Sequence, residues 1–155
     1  MLIDSVGKPC SSSKVAEVQE YIDPAKEGYT ATVDGRVYVV GDGLGEGVAN
    51  LGAHFTAAAT ASLTISVTFA AELASGATKD AAEQEAAEAI EKYLKELVLT
   101  AAEAADIVVR VSAVGAILSG LQYILDYSNL KLNGEAVNIR PGEDDTPVLG
   151  EVSIE

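Results

Sequence analysis

The sequence has no tryptophan, a single cysteine, a single histidine, and little positive charge: ten Lys and Arg stand against twenty-four Asp and Glu in 155 residues. Each shortage excludes something. One cysteine, Cys10, cannot close an internal disulfide, so a reducing cytosol is the expected place of synthesis. One cysteine and one histidine, Cys10 and His54, cannot supply a His/Cys zinc site within one chain. A formal charge of −14 repels phosphate backbones and anionic lipid surfaces, which makes nucleic acid and membranes poor partners. With only 5% aromatic residues but 48% apolar ones, the interior must be filled by Ala, Val, Leu and Ile. Long hydrophobic runs are also missing. The longest weakly polar stretch, 48–71, is interrupted by Asn50, His54 and alternating Thr and Ser, which rules out a membrane-spanning helix there. No segment combines a charged start, an apolar run and a small-residue cleavage site, so no signal peptide is read. The chain opens on Met1-Leu2-Ile3-Asp4, apolar and strand-like, as though a domain were entered partway, and a piece of a longer protein is expected.

What is present reads as a chain of ordinary domain size with mixed elements. Ser11, Ser12 and Ser13 offer capping hydroxyls ahead of Val15, Val18 and Ile22, an apolar stripe of helical spacing that Pro24 and Gly28 close. Val37 to Val40 has the makings of a short strand, after which Gly41, Gly43, Gly45 and Gly47 predict a hairpin or flexible loop. Leu63, Ile65, Val67 and Phe69 alternate with Ser62, Thr64, Ser66 and Thr68 in strict period two, the clearest strand signal in the chain, preceded by Phe55, Ala57 and Ala59. The amphipathic segment from about Thr78 to Leu99 should pack on it. There Ala82, Ala86, Ala89, Ile90, Tyr93, Leu94 and Leu97 share a face, and Asp80 and Glu83 suit the helix N-terminus. Glu88 with Lys92 and Glu91 with Lys95 have the spacing of intrahelical ion pairs.

Beyond Ala105, Ile107 to Val111 is short and β-branched, and Ser112 is placed to cap a third helix carrying Val114, Ile117, Leu118 and Leu121, with Gly115 and Gly120 weakening it. Asn133-Gly134 lies between Leu130 and Leu132 on one side and Val137 and Ile139 on the other, a type I′ hairpin signal. A turn through Pro141, Gly142, Glu143, Asp144 and Asp145 leads to a last strand, Val148 to Ile154. The order predicts an α+β fold: a ferredoxin-like split βαβ (βαββαβ) core over 1–111, with a third helix and a C-terminal β-hairpin and strand extension over 112–155, packed as one unit with the core.

The residue types that carry chemistry do not converge. His54 reads as a strand-surface residue beside Phe55, and Cys10 as a small residue in a turn entering a helix, although a helix start can lower a thiol pKa. The run Gly41-Asp42-Gly43-Leu44-Gly45-Glu46-Gly47 lacks the Gly-Lys-Ser or Gly-Lys-Thr of a phosphate loop, and Asp42 and Glu46 would repel a phosphate. Glu143, Asp144 and Asp145 lack the spacing of an EF-hand loop and read as a solvated turn. Glu83 with Glu88 falls on the outer face of the long helix, without sign of a pocket. No catalytic, cofactor-binding or metal-binding residue is expected.

The stretch Ile124-Leu125-Asp126-Tyr127-Ser128-Asn129-Leu130-Lys131-Leu132-Asn133-Gly134, then Val137-Asn138-Ile139 and Thr146-Pro147-Val148-Leu149-Gly150-Glu151-Val152, strongly resembles the C-terminus of baseplate J-like proteins. The resemblance extends to Asp4-Ser5-Val6-Gly7-Lys8-Pro9, Val18-Gln19-Glu20-Tyr21-Ile22-Asp23-Pro24 and 45–54. It is to the C-terminal part of family proteins of Mu-like phages and Gram-positive prophages, without their larger N-terminal region. Tyr123, where a Gly is expected, and Val37-Tyr38-Val39-Val40, which looks like extra sequence, depart from the pattern. The resemblance implies a structural protein and not an enzyme: a wedge component of a contractile phage tail baseplate, made in the bacterial cytoplasm and incorporated into the virion. It would act through interfaces with other baseplate and tail proteins, with a homo-oligomer as a further option and without cofactors. Two other classes stay open: a ferredoxin-like small-molecule-binding regulatory module, which would need a pocket around Gly41 to Gly52, and a hydrolase, which would need Cys10 and His54 within hydrogen-bond reach.

Overall fold

A computed structural model describes residues 1–155, which divide into two compact units, 1–5 with 9–61 and 6–8 with 62–155. In the first unit the helix α1 (Ser12–Ile22) starts where the serine cluster predicts it, the Ser11 hydroxyl accepting from the Lys14 N–H at 3.3 Å. Val15 is its buried apolar residue, and Gln19 is buried beside it. The Gln19 amide is fully used: Nε2 donates to the Asp23 and Phe55 carbonyls (2.6 and 3.1 Å), and Oε1 accepts from the Ala57 N–H (2.8 Å). With both donors and its oxygen bonded, the buried amide ties the irregular 55–57 segment to the helix, and these bonds offset the cost of desolvating it. Phe55, Ala57 and Ala59 therefore lie ahead of the main strand and not within it.

Strands β1 (Thr30–Val33) and β2 (Arg36–Val39) form an antiparallel hairpin in which Val33 faces Arg36. The two residues between them, Asp34 and Gly35, both have positive φ (48° and 71°), the requirement of a type I′ turn. The glycine-rich stretch that follows is anchored, which corrects the expectation of a flexible surface loop. A Cβ on Gly41 would sit 2.1 Å from an Asp23 carboxylate oxygen, and one on Gly47 would sit 2.4 Å from the Ile22 carbonyl. Glycine is needed here because the backbone passes directly over the end of α1. The Ala49 N–H bonds to Ile22 and the Gly52 N–H to Gly43, and Lys26 pairs with Asp42.

The second unit contains β3 (Ala61–Leu73), α2 (Lys79–Thr100), a short 3₁₀ turn (Ala104–Asp106), α3 (Val111–Leu118), β4 (Ile124–Leu132) and β5 (Asp145–Ile154). The sheet order is β4-β3-β5. β4 is antiparallel to β3, with Val67 opposite Leu132 and Leu73 opposite Ile124 and two shifts in register between. β5 ascends beside β3: Gly150 lies against Thr64 and Ser66, and farther on the Glu155 N–H donates to the Phe69 carbonyl at 2.9 Å. Period two does what the sequence requires. Ile65, Val67 and Phe69 are wholly buried against Ala82, Ala86, Ile90 and Leu94 of α2 and Val114 and Leu118 of α3. Complete burial of each large side chain in that group contributes about 1.5–3 kcal/mol.

The fold is α+β, but it is not the four-stranded sheet of a split βαβ module. Leu2 and Ile3 make only isolated bridges, with Ala59 and Pro9, and 107–111 forms no strand, Val109 making one bridge to Ile139. β-branched composition marks residues that tolerate extension; pairing needs a neighbouring strand edge, which neither segment has over any length. Three local readings are also replaced. Ser112 does not cap α3: its first residue, Val111, donates its N–H to the Asn138 side chain (3.0 Å). Glu88 accepts from Gln84, Glu91 pairs with Lys8 at 2.7 Å, and Lys92 faces Glu96, in place of the predicted Glu88–Lys92 and Glu91–Lys95 pairs. Asn133-Gly134 makes its turn, yet the following strand does not run back along β4, because Ile139 bonds to Val109 instead.

Candidate interaction surfaces

The sequence-predicted chemical residues remain scattered. Cys10 is half-buried just before α1, and the His54 ring is exposed and lies beside Gly43. The Asp145 carboxylate accepts from the Gly142 N–H at 3.2 Å, closing the acidic turn on itself. No group of three or more His, Cys, Asp or Glu side chains is arranged to hold a metal ion. Glu83 is not a solvating residue: half-buried, it accepts from the Ile154 N–H at 2.8 Å and lies 3.7 Å from Lys79. Its neighbour Glu85, which sequence reasoning did not single out, accepts from both the Gln122 and Tyr123 N–H groups (2.9 and 3.0 Å) and so holds the entry to β4. These carboxylates work as caps for backbone donors, a structural use of charge.

One ion pair perturbs titration. The hydrogen bond from Lys26 raises the stability of the Asp42 carboxylate and holds its pKa below the usual carboxylate range, and the same bond holds the Lys26 ammonium above its ordinary value. The pair lies at the start of the glycine-rich stretch, where Asp42 also accepts from the Leu44 N–H.

Sheet edges and exposed apolar side chains are the features through which a part of this size can join an assembly. In the second unit both edges are interrupted. β4 has irregular pairing and a left-handed residue, Asn129 (φ 53°), and β5 carries Pro147. In the first unit, β2 exposes Val37 (69%) and Val39 (53%) and borders a groove of about 560 Å³ whose other wall includes Val15, Ala16 and Gln19 of α1. That groove is not formed by the 41–52 loop, where a ligand module would have needed it. The signal that could have located it is Asp34-Gly35, a hairpin dipeptide as strong in principle as Asn133-Gly134. No helix is long and apolar enough to cross a membrane.

Compared with known proteins, residues 65–155 match the family profile described as baseplate J-like protein C-terminal domain. The match begins within β3 and takes in α2, α3, β4 and β5. No curated protein matches the chain.

Proposed function

The chain belongs to the baseplate J-like protein family, and on that footing we propose that it works as a wedge component of a contractile tail, assembling around the hub and relaying the rearrangement that triggers sheath contraction. Its coarser role follows from the family: a structural part of the phage tail baseplate, located in the virion tail and in contact with other tail proteins. The match over 65–155 carries this reading, since it spans the hydrophobic core of the second unit and the whole C-terminal element order. Such a part acts by binding and transmitting displacement, and needs rigid elements joined by a shared core. Phe69, Ile90 and Leu118 give β3, α2 and α3 that common core.

Synthesis in the bacterial cytoplasm from a prophage or phage genome, with no lipid or nucleic acid partner, completes the proposal and accords with the charge of −14. Its test is co-expression with the products of the adjacent tail genes, followed by size-exclusion chromatography with light scattering. A stoichiometric complex containing the chain is expected. A chain that elutes apart from every tail protein while turning over a metabolite would sink the reading.

A further inference from the structure

We propose that the outer edge of β2 accepts an extended segment of a partner protein, added as a third strand, apolar at alternate positions and carrying a carboxylate that pairs with Arg36. The inference rests on the first unit alone, which lies wholly outside the matched residues 65–155, and stands or falls independently of the baseplate reading.

Three observations carry it. Arg36, Val37, Tyr38 and Val39 are consecutive, and side chains of consecutive strand residues point to opposite faces. All four line the groove. A groove that meets both faces runs along the strand's edge, so the backbone lies within its reach. In a hairpin closed by a two-residue turn, Val33 and Arg36 exchange hydrogen bonds, as do Ala31 and Tyr38 two positions on. The N–H and C=O groups of the alternate residues, Val37 and Val39, therefore point away from β1 toward the groove.

The second observation is a contrast. Sheet edges exposed to water are ordinarily guarded by proline, charge or irregular pairing. The edge strands of the second unit have Pro147, Asn129 and two register shifts, whereas β2 pairs regularly, carries no proline and presents two exposed valines, with Arg36 beside the turn as its one charge. Third, among the residues lining the groove Arg36 alone is charged, and in a chain with a large acidic excess it makes no ion pair. An unpaired guanidinium in the lining of an otherwise uncharged groove is complementary to a carboxylate. The edge geometry specifies a strand, and the charge specifies its acid.

The test pans the purified chain against a displayed library of random linear peptides. Enriched peptides should alternate β-branched or aromatic residues with polar ones and contain Asp or Glu at a constant position. A selected peptide, measured by fluorescence polarisation, should lose at least about tenfold in affinity against both Val39→Pro and Arg36→Glu. Val39→Pro deletes an outward N–H and no hairpin bond; amide exchange on Ala31 and Tyr38 checks that the hairpin persists. Replacing the peptide's acid by Lys should restore binding to Arg36→Glu. The proposal is overturned by a library that yields no binder, by binders with helical spacing or no acid, or by affinities indifferent to both substitutions. A dimer of the chain abolished by Val39→Pro would also overturn it, because the edge would then belong to a second copy.

Discussion

Asn133 and Ser66 are joined twice: the Asn133 N–H donates to the Ser66 carbonyl at 2.8 Å, and the Ser66 N–H donates to the Asn133 side-chain oxygen at 2.7 Å. The Asn133 Nδ2 then donates to the Thr64 carbonyl at 3.0 Å. The chain turns away from β3 at this point, with Asn133 at φ 50° and Gly134 at φ 84°. The side-chain amide thus stands in for the next peptide group of β4 and lengthens its ladder with β3. Asparagine meets both demands, since it tolerates the left-handed conformation and offers a donor and an acceptor.

Replacing Asn133 by Ala removes both side-chain bonds and strains the backbone, and should cost about 2–3 kcal/mol. Asn133→Asp keeps the acceptor for Ser66 and loses the donor to Thr64, and should cost less. Urea denaturation gives the two energies, and amide exchange at Ser66 separates them. Equal exchange rates at Ser66 in the two variants would refute the ladder assignment.

Gly115 in α3 exists because of Tyr127 in β4. A Cβ at position 115 would lie 2.2 Å from the Tyr127 hydroxyl and 3.0 Å from the ring carbon bearing it. Although Ala favours helix, Gly115→Ala should destabilise by about 1–3 kcal/mol through overpacking. Removing the hydroxyl with Tyr127→Phe relieves the closer contact, so the double variant should recover part of the loss. A double-mutant cycle reads the coupling; strict additivity would show that the two residues do not meet.

The start of α3 separates a local from a distant cap. Asn138→Ala should lose about 0.5–2 kcal/mol, the range for removing a side-chain acceptor from a helix N-terminus, while Ser112→Ala should stay within about 0.5 kcal/mol of the parent. Thermal unfolding of the two variants decides between them. A larger loss in Ser112→Ala would restore the serine cap.

The Lys26–Asp42 contact sets a pH window for the glycine-rich stretch. The folded pKa of Asp42 is lowered from 3.8, so its contribution is complete above the unfolded value and vanishes as pH falls through the folded one. The folded pKa of Lys26 is raised from 10.5, so its contribution is complete below the unfolded value and vanishes as pH rises through the folded one. Amide exchange at Leu44, corrected for intrinsic rate, should therefore show a protection plateau from about pH 5 to 9 that drops at both ends. Lys26→Met should abolish the alkaline drop. A profile that Lys26→Met leaves unchanged would remove the pair from the account.

Sequence by itself determined the elements whose causes lie within a few residues. The Ser11 hydroxyl starts α1, period two from Leu63 to Phe69 defines the buried face of β3, and the apolar stripe of Ala82, Ala86, Ile90 and Leu94 gives α2 and its orientation. The Ile124 to Val152 region also carried enough specific residues to name the family. Tertiary structure decided what those elements meet. Asn138 and not Ser112 caps α3, Glu83 and Glu85 of α2 hold backbone donors at 154 and 122–123, and Ile139 bonds to Val109 and not along β4. The groove beside β2 belongs to the same class, since it needs α1 and the hairpin brought together. Capping and strand pairing satisfy whichever donor and acceptor lie within about 3 Å, and chain reversals make those neighbours distant in sequence. A periodic pattern records which face of an element is buried; the identity of the group that covers it is fixed only when the whole unit closes.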